Sequence, residues 1–153
     1  MVADQIERDV LIQAPVERVW ELLTEAEHVG TWFGDAGAEI DLRPGGAMRF
    51  SWTKHGTTRG RVETVEPPHR FAYRWAPFGP RDEAEPVPGN STLVEFTLVR
   101  EGEATRLRVV ETGFASLDMA DEQRAENRDG NVRGWQLELD DLIAYAQQAV
   151  VSR

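Results

Sequence analysis

Residues 131–150, NVRGWQLELDDLIAYAQQAV, decide how this chain folds. Val132, Trp135, Leu139, Leu142, Ala146 and Ala149 recur there in steps of three and four, which gathers them on one face of a helix. Upstream, from about residue 36 to residue 112, the rhythm is different. Apolar and polar residues alternate, and Gly and Pro cut the run into short lengths, the period-two pattern of strands. A long amphipathic helix laid on a curved antiparallel sheet encloses space between the two layers. A small-molecule pocket is therefore the leading expectation.

Working outward, residues 6–13 alternate around Ile6, Val10 and Ile12 and read as a first strand. Ala14-Pro15 opens a helix, because proline suits a first helical position where no backbone donor is needed. Val16, Val19, Trp20 and Leu23 then form one apolar face, and a second short helix is predicted over 26–32, closed by Gly34. Strands are predicted over 36–41, 47–52, 57–65, 70–75, 91–100 and 104–112. Turn chemistry separates them at Pro44-Gly45-Gly46, Lys54-His55-Gly56, Pro67-Pro68 and Glu101-Gly102-Glu103. Residues 76–90 hold four prolines and two glycines, too long a stretch for a hairpin turn. That segment reads as a gate, an interface or a disordered connection, with Phe78 as its exposed apolar residue. Residues 116–128, rich in acids and Ala, read as a short helix or an ordered loop before a final helix starting near Asn131. With no internal repeat and no linker, residues 1–153 form a single α+β domain with segregated elements.

Composition narrows the function classes. A formal net charge of −10 argues against a phosphate-backbone partner, so no nucleic acid is expected. No apolar run approaches the roughly 20 residues that span a bilayer, and residues 1–8 do not open a secretion signal. No membrane partner is expected, and the cytoplasm is the default location. The chain has no cysteine, which removes disulfides, thiolate metal sites and a cysteine nucleophile. His28, His55 and His69 share no metal-ligand spacing, no Ser occupies a nucleophile elbow, and Gly45-Gly46 lacks the ending of a phosphate loop. No metal and no cofactor is expected.

Several segments carry a family resemblance in order along the chain. They are Ile12-x-Ala14-Pro15-x-x-x-Val19-Trp20, Trp32-Phe33, Asp41-Leu42-Arg43-Pro44-Gly45-Gly46, Val65-Glu66-Pro67-Pro68-x-Arg70, Ser91-Thr92-x-Val94-x-Phe96 and Gly134-Trp135. Together they resemble the activator of heat-shock protein 90 ATPase homologue family, within the START-like or SRPBCC superfamily. The resemblance implies a helix-grip fold: a seven-stranded curved antiparallel sheet around a long C-terminal helix, with two short helices after the first strand. It also implies an internal cavity, in a superfamily that includes lipid carriers, polyketide cyclases and hormone receptors.

Alternation along each strand nominates the pocket lining. Met48, Phe50 and Trp52 share a face, as do Phe71, Tyr73 and Trp75, then Val94, Phe96 and Leu98. In the last strand Leu107, Val109 and Glu111 share a face, so an inward register aims the Glu111 carboxylate at the cavity; a frayed strand end exposes it instead. Trp32 and Phe33 resemble the family's mouth residues, and Trp135 and Leu139 supply the helical wall. These aromatic sets suit either a pocket or a filled core. Three functions follow: binding of a small apolar or aromatic ligand, cyclase or hydratase chemistry in the same cavity, or an interaction module such as a homodimer or a chaperone partner. The first is favoured because the lining is better defined than any catalytic group. Glu111 is the catalytic candidate, with Tyr73 and His55 the other titratable nominees.

Overall fold

The computed structural model describes residues 4–54, 56–76 and 85–151, with backbone alone for 149–151. His55, Phe78 and the Ala149 side chain lie outside the described residues. The chain runs β1 (Gln5–Ile12), α1 (Val16–Thr24), α2 (Ala26–Trp32), β2 (Ala38–Ile40), β3 (Ala47–Trp52), β4 (Gly56–Glu66), β5 (Arg70–Trp75), β6 (Thr92–Glu101), β7 (Ala104–Thr112) and α3 (Asp121–Val151). The seven strands form one antiparallel sheet in the order β1-β7-β6-β5-β4-β3-β2. β1 and β7 are neighbours although far apart in sequence; every other neighbouring pair is consecutive along the chain. The architecture is the α+β helix-grip expected from the sequence.

Local chemistry explains the boundaries. Pro15 adopts φ −62° and ψ 153° ahead of α1, and Glu25, also extended, breaks α1 from α2 after one residue. Gly46 is required between β2 and β3, because a Cβ there would overlap the Asp41 carbonyl oxygen. The bulge between Val62 and Thr64 resets the register of β4 against β5.

The concave face of the sheet and one face of α3 share the core. Val94 stands across from Tyr73 on one side and Glu111 on the other, and Phe96 lies between Phe71 and Val109. Trp135, Leu139, Leu142 and Ala146 of the helical stripe are buried, with Val132 half-buried at its edge. Trp20 packs edge-on to Phe71 with ring centroids 6.2 Å apart, which fastens α1 over the far end of the sheet.

The start of α3 differs from the sequence expectation. The helix begins at Asp121, ten residues before Asn131, after a short 3-10 turn at Phe114–Ser116. Its first turns carry no apolar stripe because polar contacts anchor them. The Arg124 guanidinium donates to the Leu117 carbonyl at 2.7 Å, and Arg128 donates to the Gln5 carbonyl at 3.0 Å. Asp121 and Glu122 place negative charge at the helix N-terminus, where the macrodipole favours it. No helix among the described residues is long and apolar enough to cross a membrane.

Candidate ligand-binding cleft

At one end of the sheet the strands stop and the two layers separate. Trp52 and Trp75 are the last residues of β3 and β5, and Thr58 lies between them on β4, across from Phe50. Opposite stands the middle of α3, presenting Gly130, Asn131, Gly134, Trp135 and Glu138, with Leu137 at the solvent side. Phe33, just beyond α2, closes the third wall. A cleft of about 430 Å³ lies between them.

Phe33 is the hub of the aromatic walls. Its ring centroid lies 5.2 Å from Phe50, 5.4 Å from Trp52, 5.6 Å from Trp75 and 5.7 Å from Trp135. Its carbonyl also accepts the Trp52 indole N–H at 2.8 Å. Edge-to-face and offset contacts of this kind favour aromatic pairs beyond simple burial. The walls are therefore held in place by one another.

Behind the walls, Glu111 is fully buried. Its Oε2 accepts the Trp75 indole N–H at 2.8 Å and the Thr92 hydroxyl at 2.5 Å. Its Oε1 accepts the Trp135 indole N–H at 2.8 Å, and the Asn131 amide donates to both oxygens at 3.0 and 3.1 Å. Four donors surround one acceptor-only group, so its lone pairs are committed. Trp75 belongs to the sheet and Trp135 to the helix, so this one carboxylate ties the two cleft walls together.

Two glycines and one carboxyl give the helical wall its character. A Cβ added at Gly130 or Gly134 would meet nothing within 4 Å. Neither glycine is thus explained by close packing, although each costs a helix interior about 1 kcal/mol relative to Ala. Glu138, one turn beyond Gly134, is half-buried, and its Oε2 is shut off from solvent without a hydrogen-bond partner among the described residues. Burial, followed by the charges of Asp141 and Asp35, pushes its carboxyl up from the ordinary 4.5 to about 8. The Tyr73 hydroxyl is likewise raised well above its ordinary range, first by burial and then by Glu111 and Glu138.

The raised Glu138 carboxyl has a stability consequence. Between pH 4.5 and about 8 the folded chain keeps a proton that the unfolded chain has released. Its contribution is complete below the lower value and lost as pH rises through the upper one. Glu138→Gln is expected to remove this decline, which urea melts at pH 5 and pH 8 will read. Equal pH slopes in both proteins would contradict the burial of this group.

The family model described as "Activator of Hsp90 ATPase homolog 1-like protein" matches residues 13–147. The chain belongs to that family. A curated protein of Streptomyces halstedii described as "Putative polyketide cyclase" is 36% identical over 62 residues, which take in 40% of this chain and 57% of that protein. Protein MLL2253 from Mesorhizobium loti has a similar structure, with a TM-score of 0.76, 22% identity, and 94% and 97% of the two chains covered. DynU16, from the dynemicin biosynthetic locus, aligns with a TM-score of 0.73 and 25% identity over 96% of this chain and 48% of its own.

Within this family fold the residues singled out from the sequence divide into two groups. Phe33, Trp52, Trp75 and Trp135 bound the cleft, with Glu111 directly behind. Phe50, Phe71, Tyr73, Val94, Phe96, Val109 and Leu139 pack in the core beneath. Trp32 turns away from the cleft and donates its indole N–H to the Leu22 carbonyl at 2.6 Å, joining α2 to α1. Thr58, Gly130, Asn131 and Glu138 line the cleft or secure its wall and were not singled out, and Gly134 stood out only as part of the family resemblance, not as a lining residue. Gly130, Gly134 and Glu138 share a sequence signal, since steps of four align them along one edge of the helix.

Proposed function

We propose that this protein binds a small, flat aromatic molecule in the cleft between the sheet and α3, acting in the cytoplasm. The observation that carries the reading is the pairing of four fixed aromatic rings with two helix glycines that no neighbouring atom fills. Rings held in place offer stacking surface at small ordering cost, and the missing Cβ atoms leave a slot for the ligand's plane. The likeness to a protein described as a polyketide cyclase and to one from a biosynthetic locus fits a cavity for a cyclic aromatic compound.

The glycines supply the test. Gly134→Ala is expected to stabilise the free protein by about 1 kcal/mol through helix propensity, raising Tm by about 2–4 °C. The same change is expected to weaken an aromatic ligand about tenfold by filling its slot. Thermal melts and calorimetric titration with 2-acetylnaphthalene, an uncharged bicyclic ketone, read the two effects. A more stable variant with unchanged affinity would contradict this placement of the ligand.

A second reading, cyclase-type chemistry in the same cleft, is favoured by the Glu138 carboxyl, which lines the cleft with an Oε2 unpartnered among the described residues. It requires turnover of a polyketide-like substrate, and loss of turnover in Glu138→Gln with ligand binding retained would support it.

A further inference from the structure

We propose that Glu138 is a polar recognition group on the helical wall of the cleft, donating a hydrogen bond to a carbonyl or comparable acceptor oxygen on an uncharged aromatic ligand. This inference rests on the cleft being the ligand site.

Besides Glu138, the Thr58 hydroxyl is the polar side-chain group that the sheet presents to the cleft. The indole N–H groups of Trp52, Trp75 and Trp135 are spent on the Phe33 carbonyl and on Glu111. The Asn131 amide N–H is spent on Glu111 as well. Glu138 lines the cleft with them, but no hydrogen bond among the described residues engages its carboxyl, and its Oε2 is closed to water. A dry, unpaired oxygen favours the neutral acid, and because Oε2 is as closed to a ligand oxygen as to water, the same carboxyl meets the ligand at Oε1.

Charge then selects the form in which Glu138 acts. Asp141 on the same helix and Asp35 after α2 act on it, while Tyr73 of β5 and Glu111 of β7 lie beneath the walls. The charges that act on Glu138 among the described residues, those of Asp141 and Asp35, are both negative, so neither stabilises a further negative charge. Tyr73 keeps its proton throughout, with its hydroxyl raised well above the ordinary range. At pH 7 Glu138 is thus mainly the protonated acid, which has an O–H to give. An anionic ligand meets an acidic rim, whereas an uncharged ketone or quinone meets a donor.

Two near-isosteric probes separate the claims: 2-acetylnaphthalene, which carries an acceptor oxygen, and 2-isopropylnaphthalene, which does not. Calorimetric titration of the full chain at pH 6.5 is expected to show the ketone favoured about five- to tenfold, the size of one hydrogen bond. At pH 9.5, with Glu138 ionised, that preference should vanish. Glu138→Gln keeps an N–H donor of similar reach and should keep the preference at both pH values. Glu138→Met should lose it at both while still binding the hydrocarbon. A ketone preference that survives in Glu138→Met, or none in the native chain while both probes bind, would overturn the role of Glu138 alone. Failure of both probes to bind the native chain would overturn the cleft as an aromatic site, and this inference with it.

Discussion

Glu111→Ala is expected to destabilise the protein by about 3–5 kcal/mol, because it strips the acceptor from three buried donors and a half-buried one at once. Two indole N–H groups, an amide and a hydroxyl converge on this carboxylate, and the residue itself is 0% exposed. Removing it leaves the indoles and the Thr92 hydroxyl without their acceptor and uncouples Trp75 on the sheet from Trp135 on α3. For a chain of this size the loss corresponds to a fall in Tm of about 6–20 °C. Glu111→Gln preserves the shape but introduces an N–H₂ among donors, so it should also destabilise, by about 1–3 kcal/mol. Differential scanning calorimetry checks both. A Tm within two degrees of the native chain for Glu111→Ala would mean that the carboxylate does not hold the walls together.

The second large effect belongs to Phe33→Ala. Phe33 contacts Trp32, Phe50, Trp52, Trp75 and Trp135, with ring centroids between 5.2 and 5.7 Å. Truncating a buried Phe costs about 3–5 kcal/mol, the spread reflecting how far the site collapses. Here collapse is restrained, because Glu111 holds Trp75 and Trp135 from behind. The cost should therefore fall in the upper part of that range, and the near-ultraviolet circular dichroism of the indoles should weaken. Chemical denaturation reads the first effect. A loss below 1 kcal/mol would show that the rings stand without Phe33.

The fold was legible because its signals are periodic and local. The stripe from Trp135 to Ala146 needs only the pitch of a helix to be seen, and Phe71, Tyr73 and Trp75 need only the alternation of a strand. Strand β5 and helix α2 fall where the pattern puts them; β1 and β6 shift by a residue. The start of α3 was hidden because Arg124 and Arg128 anchor it by contacts to backbone carbonyls that are remote in sequence or lie beyond the helix end, and these leave no apolar rhythm.

The cleft was only partly legible for a related reason. Aromatic type and strand phase pointed to Trp52, Trp75 and Trp135, but they did not separate these from Phe71 and Phe96, which lie deeper in the core. That division depends on where the sheet and α3 part, which is a property of the assembled layers. Glu138 gave no signal of its own, since it sits within the charged run Glu138-Leu139-Asp140-Asp141. Only its step of four from Gly134 distinguishes it from the others.

The claim that the cleft is an aromatic-ligand site is tested most directly by the indole N–H resonances of the five tryptophans, followed by two-dimensional NMR during titration with 2-acetylnaphthalene. Trp52, Trp75 and Trp135 line the cleft, whereas Trp20 packs on Phe71 at the far end of the sheet and Trp32 is tied to Leu22. The expected result is saturable movement of the three cleft signals at a common affinity, with Trp20 unmoved. Movement of Trp20 in place of these three, or no movement at saturating probe, would contradict the account.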